Sequence, residues 1–134
     1  MRPYAQVLEQ LRTAGLRPTR QRLALAKLLF ENGPRHMTAE SLHGEAQNAN
    51  IRVSLATVYN TLHQFTEAGL LREIVVDTSR SYFDTTTHEH GHFYHEGSGQ
   101  LMDIETPIHL AEMPSLPTGT KISGVDVVIR LAAA

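Results

Sequence analysis

Apolar side chains recur at helical spacing along the first half of the chain, and each run ends near a turn-forming residue. The spacing predicts four helices, over residues 4–13, 18–31, 38–48 and 54–69. Thr38 and Ser54 stand at the starts of the third and fourth helices, where a hydroxyl can accept a hydrogen bond from a free backbone amide. The second helix is apolar around most of its circumference, so we expect it at the centre of a core.

The spacing of apolar residues along the chain changes after Leu70. Isoleucine, valine, tyrosine and phenylalanine dominate residues 71–76 and 81–85, and Asp-Thr-Ser at 77–79 separates the two stretches. This composition predicts a two-stranded hairpin. Helices followed by a hairpin is the element order of a winged helix, so we predict an α+β fold with an N-terminal winged-helix DNA-binding domain.

The two sides of the fourth helix differ in chemistry. Its apolar side carries Leu55, Val58, Leu62 and Phe65. Small or hydrogen-bonding side chains gather near the N-terminus outside this side, and the residues predicted to contact DNA there are Ser54, Ala56, Thr57, Tyr59 and Asn60. Asparagine can pair with adenine, whereas alanine, threonine and tyrosine can contact thymine methyl groups, so this face predicts an A/T-rich site in the major groove.

Charge is unevenly distributed along the 134 residues. Residues 1–72 hold nine Lys and Arg against five Glu, a net charge of +4, whereas residues 73–134 hold three against nine acidic residues, a net charge of −6. Only the first half suits a polyanion such as double-stranded DNA. A basic helical half joined to an acidic, histidine-rich half is typical of a nucleic-acid-binding domain attached to a cation-binding one.

Composition also excludes several kinds of site. No apolar run approaches the ~20 residues of a membrane span, and the N-terminal residues do not resemble a signal peptide, so we expect a cytoplasmic protein. The chain has no cysteine, which excludes disulfides, thiol catalysis and cysteine-bound zinc. Histidine and carboxylate are the strong metal ligands that remain.

Four of the eight histidines lie within residues 88–95. If the stretch from Gly91 to Tyr94 is extended, His90 and His92 project to the same face, as two ligands of one ion must. Asp84 and Asp103 could arrive from adjacent strands. A mixture of imidazole and carboxylate without thiolate suits Fe(II), Mn(II) or Zn(II).

Three stretches resemble the ferric uptake regulator family. They are residues 15–22 (Gly-Leu-Arg-Pro-Thr-Arg-Gln-Arg), 54–62 (Ser-Leu-Ala-Thr-Val-Tyr-Asn-Thr-Leu) and 65–71 (Phe-Thr-Glu-Ala-Gly-Leu-Leu). The likeness covers nearly the whole chain. Residues 17–22 and 126–130 most resemble the iron response regulator (Irr) branch, and the peroxide-sensing branch is the nearest competitor.

The resemblance implies a homodimer that binds palindromic operators, and it assigns roles to individual residues. Tyr59 and its neighbours would contact bases, and Arg17 and Arg20 would reach DNA near the start of the second helix. The residues that match the family's sensing site are His36, Asp84, His90, His92 and Asp103. Since His36 comes from the DNA-binding half, a metal joining it to the second half would set the angle between domains and thereby the DNA affinity.

The chain also departs from the family pattern. Residues 95–98, His-Glu-Gly-Ser, replace the first cysteine pair of a structural zinc site, so no such zinc can form. Glu89 and Gly91 occupy two ligand positions of an accessory site, and only Glu89 could coordinate. We therefore expect one divalent metal per subunit, which is Fe2+ or Mn2+ in the cell, while Zn2+ can also bind in vitro. The Cys-Pro haem motif of some Irr members is impossible here, which makes haem the less favoured effector.

Two other classes of function compete with a regulator. His88 to His92 formally fits the metalloprotease pattern H-E-x-x-H, but that pattern requires a helix, and Gly91 with the preceding threonine run disfavours one. A metal carrier without DNA binding would suit the second half alone, yet the basic first half and the face of the fourth helix argue against it.

We therefore predict a winged-helix domain over residues 1–80 and a dimerisation and metal-sensing domain over 81–134, with no enzymatic activity. Residues 106–121 contain three prolines and are expected to hold one short helix and a loop. A final strand is expected where Val125, Val127 and Ile129 alternate with their neighbours. Whether metal promotes or abolishes DNA binding is left open by the residues alone.

Overall fold

The computed structural model describes residues 4–88 and 90–134, which divide into two units at Thr87 and His88. The helices are α1 (Ala5–Thr13), α2 (Arg20–Phe30), α3 (Ala39–Asn48) and α4 (Leu55–Glu67). The strands are β1 (His36–Met37), β2 (Arg72–Asp77), β3 (Arg80–Asp84), β4 (Gly91–His95), β5 (Gln100–Ile104) and β6 (Val128–Leu131). All four predicted helices and the predicted hairpin are present.

Side-chain caps define the starts of three helices. Thr19 Oγ1 accepts a hydrogen bond from Arg22 N at 3.2 Å at the start of α2, and Ser54 Oγ accepts one from Thr57 N at 3.1 Å at the start of α4. Thr38 and Ser41 form a reciprocal capping box on α3, since each side chain accepts from the other residue's backbone amide at 3.1 Å. The N-caps predicted at Thr38 and Ser54 are confirmed.

The N-terminal unit has one apolar core, and each helix buries one side in it. The central position predicted for α2 is confirmed, because four of its residues are buried: Ala24, Leu25, Ala26 and Leu29. On α4 the buried apolar residues are Val58, Leu62 and Phe65, and Leu55 packs against them at the edge. The predicted apolar side of α4 therefore faces the core, and the opposite side is left to solvent.

A three-stranded sheet in the order β1-β3-β2 follows the helices, and both strand pairs are antiparallel. The sequence predicted β2 and β3 but not β1. A strand of two residues is too short to show an alternating pattern in the sequence. Strand β1 exists only because His36 and Met37 pair with Asp84 and Phe83. Strand β3 is the middle strand of this sheet and belongs to the N-terminal unit, which extends to Thr87.

The C-terminal unit contains a second three-stranded sheet, in the order β5-β4-β6. Strands β4 and β5 form an antiparallel hairpin, with His92 opposite Asp103. Strand β6 pairs with the other edge of β4 in parallel, with His92 opposite Val128. The extended conformation predicted for Gly91 to Tyr94 is confirmed.

Two predictions for the C-terminal unit are wrong. Residues 105–127 contain no helix, because Pro107, Pro114 and Pro117 lack backbone amide hydrogens and restrict the residues before them. The final strand begins at Val128 instead of Val125. Most of this long segment is exposed, so its apolar side chains contribute little to the core of the unit.

Within the described ranges, we find no helix with both the length and the apolar character to cross a membrane.

Candidate metal centre and DNA-binding face

Two histidines of β4 and its N-terminal flank converge on one carboxylate of β5. Asp103 Oδ1 lies 3.0 Å from His90 Nε2 and 3.2 Å from His92 Nε2. Strand pairing explains the contact with His92, because residues directly opposite each other in an antiparallel pair share a face of the sheet. The potential ligand atoms of the three residues all lie within 4.8 Å of one another. This geometry would let all three residues bind a single small cation.

Burial differs among the three residues. The His92 side chain is 1% exposed, that of His90 is 10% exposed and that of Asp103 is 42% exposed. His92 is further held by its backbone amide, which donates to Val127 O at 3.0 Å. The cluster therefore has a rigid, buried imidazole at one side and a carboxylate accessible to solvent at the other.

The hydrogen bonds of His90 suit a cation at this point. His90 Nδ1 lies 2.9 Å from the carbonyl oxygen of His88, which can only accept, so Nδ1 carries the hydrogen. In the neutral ring Nε2 is then an acceptor that faces Asp103 Oδ1, another acceptor. Either a proton or a metal ion must lie between two such atoms. A carbonyl bound to the far nitrogen is also the common way in which a metal-binding histidine is oriented.

The other two predicted ligands are neighbours in the N-terminal unit. His36 of β1 lies directly opposite Asp84 of β3, so both side chains emerge on the same face of that sheet. Asp84 is 1% exposed, and its Oδ1 accepts a hydrogen bond from Thr86 N at 2.9 Å. Asp84 is also the register partner of Arg72 on β2, so this buried carboxylate has a guanidinium-bearing residue opposite it on one strand and an imidazole-bearing residue opposite it on the other. The structure thus groups the five predicted ligands as two in one unit and three in the other.

Arg35 fixes the backbone next to His36. Its guanidinium donates to Glu45 Oε1 at 2.9 Å and to Leu28 O at 3.2 Å, and it forms an ion pair with the Glu45 carboxylate. The hydrogen bond to Glu45 holds the pKa of Arg35 above its ordinary value. The Arg35 backbone exchanges hydrogen bonds with Thr85, whose amide donates to Arg35 O at 3.0 Å. Helices α2 and α3 are therefore tied to the strand pair that carries His36 and Asp84.

Gly91 separates the two histidines of the cluster, and little space is left for a side chain at this position. A Cβ atom at this position would lie 2.6 Å from Ile108 Cδ1 and 3.3 Å from Ile104 Cδ1. Any larger residue between His90 and His92 would require Ile108 to move. Glu89, which was considered for an accessory metal site, lies outside the described residues.

The predicted DNA-binding residues of α4 fall into two groups. Ala56, Tyr59 and Asn60 are exposed on the side of the helix that faces away from the core. Ser54 and Thr57 cap the helix, and Ser54 Oγ donates to Thr57 Oγ1 at 2.9 Å in addition to accepting from the Thr57 amide. The first group is accessible to solvent, whereas the second shapes the helix terminus.

Arg17 and Arg20 are both exposed at the start of α2, as their predicted contact with DNA requires. Sequence reasoning missed the connecting role of Arg22. One of its guanidinium nitrogens donates to Arg17 O and the other to Gln64 Oε1, each at 2.9 Å. These two bonds tie the basic start of α2 to the exposed side of α4.

Two further residues border the exposed face of α4 and were not predicted. Glu40 of α3 accepts a hydrogen bond from the Tyr59 hydroxyl, and the His63 ring lies nearly parallel to the Tyr59 ring, at 18° and 6.5 Å between centroids. His63 follows Tyr59 by four residues, so helical spacing alone could have identified it. Glu40 lies 19 positions before Tyr59, and no local pattern could have connected them.

The metalloprotease interpretation is excluded by the backbone. Gly91–His95 is a strand, so His88 and His92 cannot share a helical face as the H-E-x-x-H pattern requires.

A helical unit with a hairpin, and a sheet with a cluster of imidazoles and a carboxylate, are the parts expected of a metal-dependent DNA-binding regulator. Residues 13–130 match the model of the ferric uptake regulator family. The peroxide operon regulator of Bacillus subtilis is 33% identical over 120 residues, which cover 88% of this chain and 82% of the relative. The peroxide-responsive repressor PerR of Staphylococcus aureus is 34% identical over 100 residues, 75% of this chain and 67% of the relative. The chain belongs to the ferric uptake regulator family.

Solved structures of the family have the same fold. The ferric uptake regulator from Pseudomonas aeruginosa with manganese superimposes with a TM-score of 0.69 at 24% identity, covering 94% of this chain and 96% of that one. The ferric uptake regulator from Vibrio cholerae superimposes with a TM-score of 0.71 at 22% identity, covering 93% of this chain and 98% of that one. The predicted α+β fold is confirmed, and family membership makes the chain a transcription regulator rather than an enzyme. The relatives named above are peroxide regulators, so the resemblance to the Irr branch is confirmed only at the level of the family.

Proposed function

We propose that this chain is a metal-dependent transcription regulator of peroxide stress that binds A/T-rich palindromic DNA as a homodimer. The observation that carries the metal dependence is the convergence of His90, His92 and Asp103 on one point. The peroxide response is supported by the named functions of two relatives that are more than 30% identical over most of this chain.

We assign the metal to His36, Asp84, His90, His92 and Asp103, one divalent ion per subunit. Imidazole and carboxylate without thiolate suit Fe(II) and Mn(II), and they also accept Zn(II). Bound Fe(II) would supply the electron that reduces peroxide, whereas Mn(II) would not readily do so. The exposed side of Asp103 leaves the cluster accessible to a small solute, and the buried His92 keeps one ligand fixed.

The ligand set also supports a link between metal and DNA affinity. His36 and Asp84 belong to the unit that carries α4, and Arg35 ties their strands to α2 and α3. An ion that takes ligands from this pair and from the C-terminal cluster would restrict the angle between the units. A difference of about 1.4 kcal/mol between two arrangements changes affinity tenfold, so one ion is energetically sufficient.

DNA binding is assigned to the exposed side of α4 and the start of α2. Ala56, Tyr59 and Asn60 would contact base edges, and Arg17 and Arg20 would contact phosphate or a minor groove. This surface argues against a metal carrier, which would need no such face.

An iron-responsive regulator of the Irr kind is the second candidate. Residues 17–22 and 126–130 favour it, and it differs from the first candidate in the effector that releases DNA. A divalent ion would be the corepressor in the first case, whereas iron or haem would release a DNA-binding apoprotein in the second.

Anaerobic binding of a palindromic A/T-rich duplex separates the candidates. The metal-free protein is titrated with DNA after adding Mn(II), Fe(II), Zn(II) or haem, and peroxide is then added to each complex. We expect Mn(II) and Fe(II) to tighten binding, and peroxide to release only the Fe(II) protein. Tight binding by the apoprotein that iron or haem abolishes would establish the second candidate, and binding indifferent to every addition would refute both.

A further inference from the structure

The Tyr59 hydroxyl forms a hydrogen bond within the protein itself. It donates a hydrogen bond of 2.5 Å to Oε1 of Glu40, the second residue of α3. The carboxylate stands in the first turn of that helix, where a negative charge is stabilised by the free amides of the helix terminus. A carboxylate can only accept, so the direction of this bond is unambiguous.

The Tyr59 ring also has an aromatic neighbour on its own helix. The His63 ring lies nearly parallel to it, and His63 in turn contacts Phe83 edge-on, at 5.5 Å and 79°. Phe83 is 1% exposed and belongs to the core. Ring neighbours therefore run from the core through His63 to Tyr59, and the hydrogen bond to Glu40 favours one orientation of the hydroxyl.

The pKa shifts of Glu40 and Tyr59 agree with a hydrogen bond from the Tyr59 hydroxyl to an ionised Glu40 carboxylate. The hydrogen bond from Tyr59 holds the pKa of the Glu40 carboxyl below its ordinary value, and the same bond holds the pKa of the Tyr59 hydroxyl above its ordinary value. At neutral pH the pair is therefore a charged acceptor and a neutral donor, the combination that gives a strong hydrogen bond.

A phenol has one hydrogen to donate and lone pairs with which to accept. Since Glu40 takes the hydrogen, only the lone pairs of the Tyr59 oxygen are available to a base. In the major groove the amino groups of adenine and cytosine are donors, whereas the edges of thymine and guanine present acceptors. An oxygen that can only accept can therefore form a hydrogen bond with adenine or cytosine but not with the acceptor atoms of thymine or guanine.

We propose that Glu40 is a positioning residue that fixes the hydroxyl polarity of Tyr59 and thereby selects adenine or cytosine at the base position facing it. The inference rests on the proposed DNA-binding function of α4. Glu40 would thus contribute to base specificity, although the negative charge of its carboxylate lowers the overall affinity for DNA.

Selection from a random duplex library by the full-length, Mn(II)-loaded protein tests the proposal. The variants are Tyr59→Phe, Glu40→Ala and Glu40→Gln, with Glu67→Ala as the charge-matched control at the end of α4. Tyr59→Phe and Glu40→Ala should lose the preference at the same base position, by roughly 3- to 10-fold each, as for one hydrogen bond. Glu40→Gln keeps an acceptor oxygen without the charge, so it should retain most of that preference.

Charge and hydrogen bonding have distinct signatures in this experiment. Removing the charge should raise affinity for all sequences alike, in both Glu40 variants. If Glu40→Ala selects the wild-type motif with only such a uniform rise, or if it and Tyr59→Phe alter different positions, the proposal is overturned. If wild type and Glu67→Ala select no motif at all, the DNA-binding function itself fails.

Discussion

Replacing Asp103 by asparagine would test the metal centre with almost no change of shape. Its Oδ1 is the atom on which His90 Nε2 and His92 Nε2 converge, at 3.0 and 3.2 Å. An amide in the same place can turn its NH2 group toward an imidazole nitrogen, so the strands should stay paired. Because the side chain is 42% exposed, we expect the free energy of unfolding of the metal-free protein to change by about 0.5 kcal/mol or less.

Metal affinity should respond far more strongly. Loss of a group that merely orients a ligand typically lowers metal affinity about 10- to 100-fold. Asp103 is proposed to bind the metal directly, and asparagine at this position has no negative charge. We therefore expect a larger effect in the Asp103→Asn variant, a fall in Mn(II) affinity of more than about 100-fold. That factor corresponds to about 2.8 kcal/mol of binding free energy.

Anaerobic calorimetric titration with Mn(II) measures the affinity, and thermal unfolding of the metal-free proteins measures stability. Glu96→Gln is the matched control, because Glu96 is an exposed acidic residue in the turn that joins the same two strands. Wild-type Mn(II) affinity in Asp103→Asn would refute the assignment. An equal loss in Glu96→Gln would show that general negative charge, not this cluster, attracts the ion.

Substitutions at four positions test the DNA-binding unit. Tyr59→Ala should weaken binding to a specific duplex more than to random DNA, and equal losses in a competition assay would argue against base contact. Arg17→Ala should reduce the slope of log affinity against log salt by about 1, and an unchanged slope would remove Arg17 from the phosphate contacts. Thr38→Ala should lower the free energy of unfolding by about 1 kcal/mol through loss of the helix cap, whereas Thr38→Ser should not. Phe65→Ala should lower it by about 3–5 kcal/mol in urea unfolding, since the ring is wholly buried, and a loss below that range would indicate that the core collapses into the space.

Local patterns were sufficient for the elements with strong periodicity. The helices, their caps at Thr38 and Ser54, and the hairpin β2–β3 follow from spacing and from turn chemistry within a few residues. The prediction failed where structure depends on distant partners. Strand β1 is formed only by pairing with β3. The short helix expected within residues 106–121 is absent for a different and local reason, the three prolines of that segment.

The amino-acid sequence by itself determined which ligands are available, since a chain without cysteine has only imidazole and carboxylate to offer a metal, and it determined which side of α4 is polar. The tertiary structure decided which of these groups meet. Pairing of β4 with β5 places Asp103 opposite His92, and pairing of β1 with β3 places His36 opposite Asp84. The contact between Glu40 and Tyr59 likewise depends on how α3 packs beside α4. Such contacts join residues that are far apart in the chain, and the packing of the whole core, rather than any local preference, sets their distances.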